Sequence, residues 1–76
     1  MSRYLSLFKG VDVGLGYRVD FLFDRELVVE FKTVERLLPI HQSQLLTYMR
    51  LLGVRQGFLI NFNVRRLTDG LKSMLL

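Results

Sequence analysis

The 76-residue sequence contains no cysteine, no tryptophan, one proline and one histidine. Without cysteine there is no disulfide framework and no thiolate zinc staple, and a haem-attachment motif is excluded with them. No apolar run approaches the roughly 18 residues of a membrane span. The opening residues, Met1-Ser2-Arg3-Tyr4-Leu5-Ser6-Leu7-Phe8-Lys9, lack the continuous apolar stretch of a secretory signal. The expectation is a soluble, cytoplasmic chain with no membrane partner. Repeats, low-complexity tracts and linkers are also missing, and 50% hydrophobic against 24% charged residues is not the composition of a disordered segment. Acid is the scarcer charge: seven Asp and Glu face eleven Lys and Arg, leaving +4 at pH 7. That balance suits a polyanionic partner such as nucleic acid and suits plain solubility equally. The basic residues are scattered, with only Arg65 and Arg66 adjacent.

What is present is dense apolar patterning in a chain long enough for one small domain with a thin core. Arg3–Lys9 reads as a strand, Lys9-Gly10 as a turn, and Val11 onward as an extended stretch broken by Gly14 and Gly16. Two apolar runs follow, Tyr17–Phe23 and Leu27–Lys32, and the polar Asp24-Arg25-Glu26 between them makes a hairpin. Pro39 opens a helical period reaching Leu52, with Leu45, Leu46, Met49 and Leu52 on one stripe. Gly53 sits where a helix ends, and Arg50 in the last turn suits the helix dipole. Gln56–Phe62 reads as a buried strand, Thr68-Asp69-Gly70 as a turn and Leu71–Leu75 as a last short strand.

The order strand, strand, strand, helix, strand, strand predicts a parallel crossover beside an antiparallel hairpin. The fold class is therefore α/β, a mixed sheet of about four or five strands with one main helix, Pro39–Leu52. A sheet has two faces and this chain offers one long helix. The second face is expected to be covered by a partner, by a second protomer in a homo-oligomer, or by sequence upstream of Met1 in an N-terminally shortened chain.

Side chains alternate faces along a strand. On the hairpin the odd positions Val19, Phe21, Phe23, Leu27, Val29 and Phe31 are all apolar, while the even positions are Arg18, Asp20, Leu22, Val28, Glu30 and Lys32. With a three-residue loop, paired positions sum to fifty, which sets Asp20 opposite Glu30 and Arg18 opposite Lys32. Opposed residues have Cβ atoms about 4.5–5.5 Å apart, where two carboxylates repel unless a cation joins them. Mg²⁺ takes carboxylate oxygens at about 2.1 Å and keeps several waters. Lys32, two positions on, is placed to orient a water or to stabilise charge developing on a phosphate. The same residues also suit a solvated strand face with cross-strand ion pairs, and a one-residue slip would part the carboxylates. On the helix, His41, Gln44 and Tyr48 share a polar stripe; a histidine at a helix start is also a common cap.

Taken in order, Asp20, then Glu30-Phe31-Lys32, then Gln44-x-x-x-Tyr48 on the following helix resemble the PD-(D/E)XK nuclease superfamily, in its lambda-exonuclease-like branch. More closely, Gly16-Tyr17-Arg18-Val19-Asp20, Val28-Val29-Glu30-Phe31-Lys32, Leu38-Pro39-Ile40-His41, Gln44-Leu45-Leu46-Thr47-Tyr48 and the stretch Gly57–Asn63 resemble the small GxxExxY proteins. The resemblance covers nearly the whole chain and implies a single domain over residues 1–76 with a restriction-endonuclease-like core. It implies Mg²⁺- or Mn²⁺-dependent hydrolysis of phosphodiester bonds in DNA or RNA. Asp20 and Glu30 would be metal ligands and Lys32 the lysine that positions or activates water. Gln44 and Tyr48 would support the site and contact the nucleic acid, with His41 and Arg18 as auxiliary residues. The Gly-x-x-Glu-x-x-Tyr helix that gives those proteins their name precedes the first strand, and this chain begins after it, so the first core helix and its glutamate are expected to be absent. A catalytically inactive binding or assembly module with the same fold is the other reading. In it Arg3, Arg18, Lys32, Arg50, Arg55, Arg65 and Arg66 would matter more than the carboxylates.

Overall fold

Local chemistry sets each corner of the chain. The computed structural model describes residues 6–76, which form β1 (Leu7–Gly14), β2 (Tyr17–Phe23), β3 (Leu27–Lys32), α1 (Pro39–Leu52), β4 (Gln56–Asn61) and β5 (Leu71–Leu75), with one 3₁₀ turn at Leu67–Gly70. The strands build one sheet in the order β1-β2-β3-β4-β5. Only β3 and β4 run parallel, joined by the α1 crossover; the other neighbours are antiparallel. This is the α/β, restriction-endonuclease-like mixed sheet with one main helix that the sequence predicts.

The first strand departs from its expected bounds. Residues 3–5 lie outside the described residues, and the chain does not turn at Lys9-Gly10. β1 instead runs through Gly10, whose φ of +60° is open to a residue without a Cβ; the register is the same on either side of it, and the ladder shifts only later, between Asp12 and Gly14. Continuing is favourable because pairing resumes beyond it, at Val11–Val19 and Asp12–Arg18, and Val11 and Val13 then pack on the core. The reversal comes at Leu15-Gly16, where both φ angles are positive. That mirror-image turn matches the twist of the flanking strands. The next corner also uses positive φ, at Asp24 and Arg25, and closes with the Glu26 N–H donating to the Phe23 carbonyl at 3.0 Å.

Helix α1 starts where predicted. Pro39 needs no hydrogen-bond acceptor at the first turn, and His41 Nδ1 reaches back to accept the Leu38 N–H at 2.8 Å. Gly53, at φ 68°, ends the helix, and the Val54 N–H donates to the Met49 carbonyl at 2.8 Å, the usual glycine termination. The helix lays Leu45, Tyr48 and Met49 against Val19, Leu22, Val28, Val54 and Leu59. Gly57 permits the close approach, since a Cβ there would stand 2.8 Å from the Met49 sulfur.

This packing covers one face of the sheet. On the reverse face the Phe21 and Phe31 rings meet edge to face at 5.2 Å and Phe31 meets Phe62 at 5.1 Å. Phe23, Phe31, Phe62, Leu71 and Leu75 are exposed, and no second helix stands over them among the described residues. None of the described helices is long and apolar enough to cross a membrane.

Candidate active site

The β2–β3 ladder has the predicted register, Phe23–Leu27, Leu22–Val28 and Phe21–Val29. Asp20 and Glu30 come next, and there the side-chain alternation slips. Val19 and Leu22, three residues apart, are both buried in the cluster under α1, and Gly10, on the neighbouring strand β1, has a positive φ. Val19 thus leaves the odd, open-face row, and Arg18 pairs with Asp12 of β1 and is exposed. At the slip the two carboxylates bridge the strands. The Asp20 N–H donates to Glu30 Oε1 at 2.7 Å, and the Phe31 N–H donates to Asp20 Oδ2 at 2.8 Å. Each carboxyl group therefore has one oxygen tied to the neighbouring backbone and one not engaged in these bonds.

Glu30 is 6% exposed, and burial pushes its pKa above the ordinary carboxylate value. The Asp20 N–H hydrogen bond opposes the rise, the nearby Asp20 charge adds to it, and the Lys32 charge opposes it. Lys32 lies two positions beyond Glu30, so it shares that face, at the C-terminal end of β3. Its register partner on β4 is Asn61. Asn61 is 1% exposed, and both its amide oxygen and its amide nitrogen are engaged. Oδ1 accepts the Val34 N–H at 3.0 Å and the Asn63 N–H at 3.2 Å, while Nδ2 donates to the Val34 carbonyl at 2.7 Å. These bonds pin the chain where it leaves Lys32 for the helix.

From above, α1 contributes Tyr48, whose phenol is held above its ordinary pKa by burial, then by the Glu30 charge, then by Tyr17. It stays protonated and remains a hydrogen-bond donor near the carboxylates. Gln44, one turn earlier, shares a cleft with Tyr48. The Tyr17 ring lies 5.8 Å from that of Tyr48. His41 caps the helix through Nδ1, a local backbone role at the N-terminal end of α1. The structure thus gathers Asp20, Glu30, Lys32 and Tyr48 into one electrostatic neighbourhood, with Gln44 at its margin and Arg18 on the exposed surface.

Two contributors went unassigned in the sequence reading. An asparagine inside the apolar run Gly57-Phe58-Leu59-Ile60-Asn61 is a signal, because a buried amide must find partners. Tyr17 gave no such signal, since its ring contact is long-range. A cavity of about 520 Å³ beside Arg25, Gly53, Arg55 and Gln56 lies by the N-terminal ends of β3 and β4, away from this chemistry.

Among the described residues no three His, Cys, Asp or Glu side chains cluster. The donor set is the Asp20–Glu30 pair alone. Two carboxylates with an oxygen each to spare fit Mg²⁺, which is bound by one or two carboxylates and completes its sphere with water and substrate phosphate. They fit poorly to Ca²⁺, which takes six to eight oxygens. A family model for the PD-(D/E)XK nuclease superfamily matches residues 4–74 of this chain. No curated protein and no solved structure matches it.

Proposed function

This chain belongs to the PD-(D/E)XK nuclease superfamily, and we propose that it hydrolyses phosphodiester bonds of DNA or RNA with a divalent cation, Mg²⁺ or Mn²⁺, held by Asp20 and Glu30. The observation that carries this reading is the cross-strand exchange of hydrogen bonds between those two residues. It holds two like-charged carboxylates together at a break in the ladder, a costly arrangement that a cation relieves. Within the superfamily, the segments 16–20, 28–32, 38–41, 44–48 and 57–63 support the GxxExxY branch.

The cation, when bound, supplies Lewis-acid charge at the phosphate. The chain's own residues orient the reaction. In hydrolysis the water oxygen bonds to phosphorus, the ester P–O bond breaks, the water gives up a proton to solvent and the leaving alkoxide takes one from solvent. The Lys32 ammonium donates hydrogen bonds to the attacking water and to the charge growing on the phosphoryl oxygens. Tyr48, kept as a neutral phenol, donates to the same anionic centre, and Gln44 offers an amide at the approach. Asn61 acts as a positioning residue for Lys32 through the backbone.

Calorimetric titration of Mg²⁺ and Mn²⁺ into the wild-type chain and Glu30→Ala tests the metal site, followed by cleavage assays on single- and double-stranded DNA and RNA. Saturable binding is expected in the wild type and lost in the variant. Cleavage that survives in Asp20→Ala discards the reading.

The open aromatic face favours a second reading, a non-catalytic module that assembles with copies of itself. Its mark is a mass in solution that rises with concentration and falls back in Phe31→Ser, with no dependence on metal.

A further inference from the structure

Between the β1–β2 turn and one side of α1, from Ile40 to Leu51, lies a cleft of about 220 Å³. Leu15 and Tyr17 form one wall, and Ile40, Gln44, Tyr48 and Leu51 form the other, with the Ser43 and Thr47 hydroxyls between. No lining residue carries a charge, so the cleft has no cation to pair with a phosphate. It offers apolar and aromatic surface, one amide able both to donate and accept, and hydroxyl oxygens. Thr47 already donates to the Ser43 carbonyl at 3.0 Å, which leaves its oxygen as an acceptor. Leu15 is 82% exposed at the tip of the turn and Tyr17 is 51% exposed. Two large apolar side chains standing open beside a polar-edged slot are suited to a flat ligand with hydrogen-bonding edges. The volume is below the roughly 300–1,000 Å³ that encloses drug-sized molecules, and suits one ring system.

The cleft is continuous with the carboxylate site through a single residue. The Tyr48 ring forms its wall and lies 5.8 Å from the Tyr17 ring, while Tyr48 also lies within the field of Glu30. A group seated in the cleft is therefore one side chain away from Asp20 and Glu30.

We propose that this cleft takes one unpaired nucleobase flanking the phosphate that is cut, which makes single strands or frayed ends the substrate class. The proposal rests on the nuclease reading. A paired base has its hydrogen-bonding edge occupied and its faces covered by stacked neighbours, so it cannot enter. An unpaired base lays a face on Tyr17, a contact of about 1–3 kcal/mol in other single-strand binders, and turns its edge to Gln44.

The test is fluorescence anisotropy in EDTA, where no metal contributes and no cleavage occurs, with labelled octathymidylate, the same octamer carrying abasic sites, and an eight-base-pair duplex. Wild-type protein is expected to bind the octathymidylate about tenfold more tightly than the other two. Tyr17→Ala is expected to weaken octathymidylate binding by about fivefold or more, the lower end of that stacking range at 1.4 kcal/mol per factor of ten, and to leave abasic binding unchanged. Leu15→Asn is the second variant: at φ +58° asparagine is well tolerated, and a side chain so exposed does not hold the fold. Unchanged affinity in both variants, or equal losses on the abasic octamer, overturns the base site. Metal titration of the same proteins in EDTA-free buffer separates the two proposals. Metal binding with silent variants removes the base site alone, and base discrimination without metal binding removes the nuclease reading and leaves the cleft a base-binding site.

Discussion

On the helix-covered face of the sheet, Glu30 is buried beside Val28 and Leu59; on the reverse face, Phe31 and Phe62 stand 37% and 53% exposed. The usual assignment of charge to solvent and aromatics to the interior is inverted at this point. The helix explains the first half. By lying over Leu22, Val28 and Leu59 it also encloses the carboxylate, and removal from water raises the Glu30 pKa. The reverse face shows the complement: its rings pack on one another and remain partly exposed, the surface that the assembly reading would use.

The sharpest break of this comparison comes from truncating matched residues on the two faces. Leu45→Ala under the helix is expected to cost about 2–5 kcal/mol, enough to unfold much of so small a domain, read by urea denaturation. Phe31→Ser on the open face is expected to cost well under half of that and to reduce concentration-dependent association in sedimentation. Equal costs would mean that the open face is covered in solution.

Asn61→Ala removes the acceptor of the Val34 N–H and the shorter of two donors to the Val34 carbonyl and is expected to cost about 1–3 kcal/mol, with cleavage falling further than the population of folded protein. Asn61→Asp sets a carboxylate oxygen against the Val34 carbonyl in a site 1% exposed and is expected to cost at least as much.

Glu30→Gln is expected to raise the metal-free thermal midpoint at neutral pH while abolishing metal binding. The sign follows from the raised pKa. The folded state binds the Glu30 proton more tightly than the unfolded chain does, so that contribution to stability is fully present below the unfolded carboxyl value. It is lost as pH rises through the folded one. Glutamine removes the buried charge, and the wild-type slope in that window should flatten.

The smallest effect is at the hairpin corner. Arg25→Gly relieves a positive φ and is expected to gain at most about 1 kcal/mol. It gives up the guanidinium placed 5.9 Å from the centre of the Phe8 ring, worth about 0.5–1 kcal/mol at an exposed site, so the net change in denaturation midpoint should be slight.

Much of this was legible in residue order. The β2–β3 register follows from a three-residue loop, and α1 keeps its predicted bounds because proline, the apolar period and Gly53 act locally. Asp20 and Glu30 are brought side by side by that register. Other features were not legible. A glycine with positive φ suits a turn and an irregular point within a strand alike, and only the pairing beyond Gly10 keeps the strand running. The slip that buries Val19 with Leu22 likewise depends on β1 lying alongside.

What the sequence by itself determined is what neighbouring residues encode: dihedral preferences, apolar period, loop length, and hence the elements and the pairing of the two carboxylates. Only the tertiary structure decided which sheet face α1 covers. The mixed row holding Glu30 and Lys32 received the helix, and the row of phenylalanines was left open. The chirality of a parallel crossover makes that choice; the hydrophobicity of the row does not.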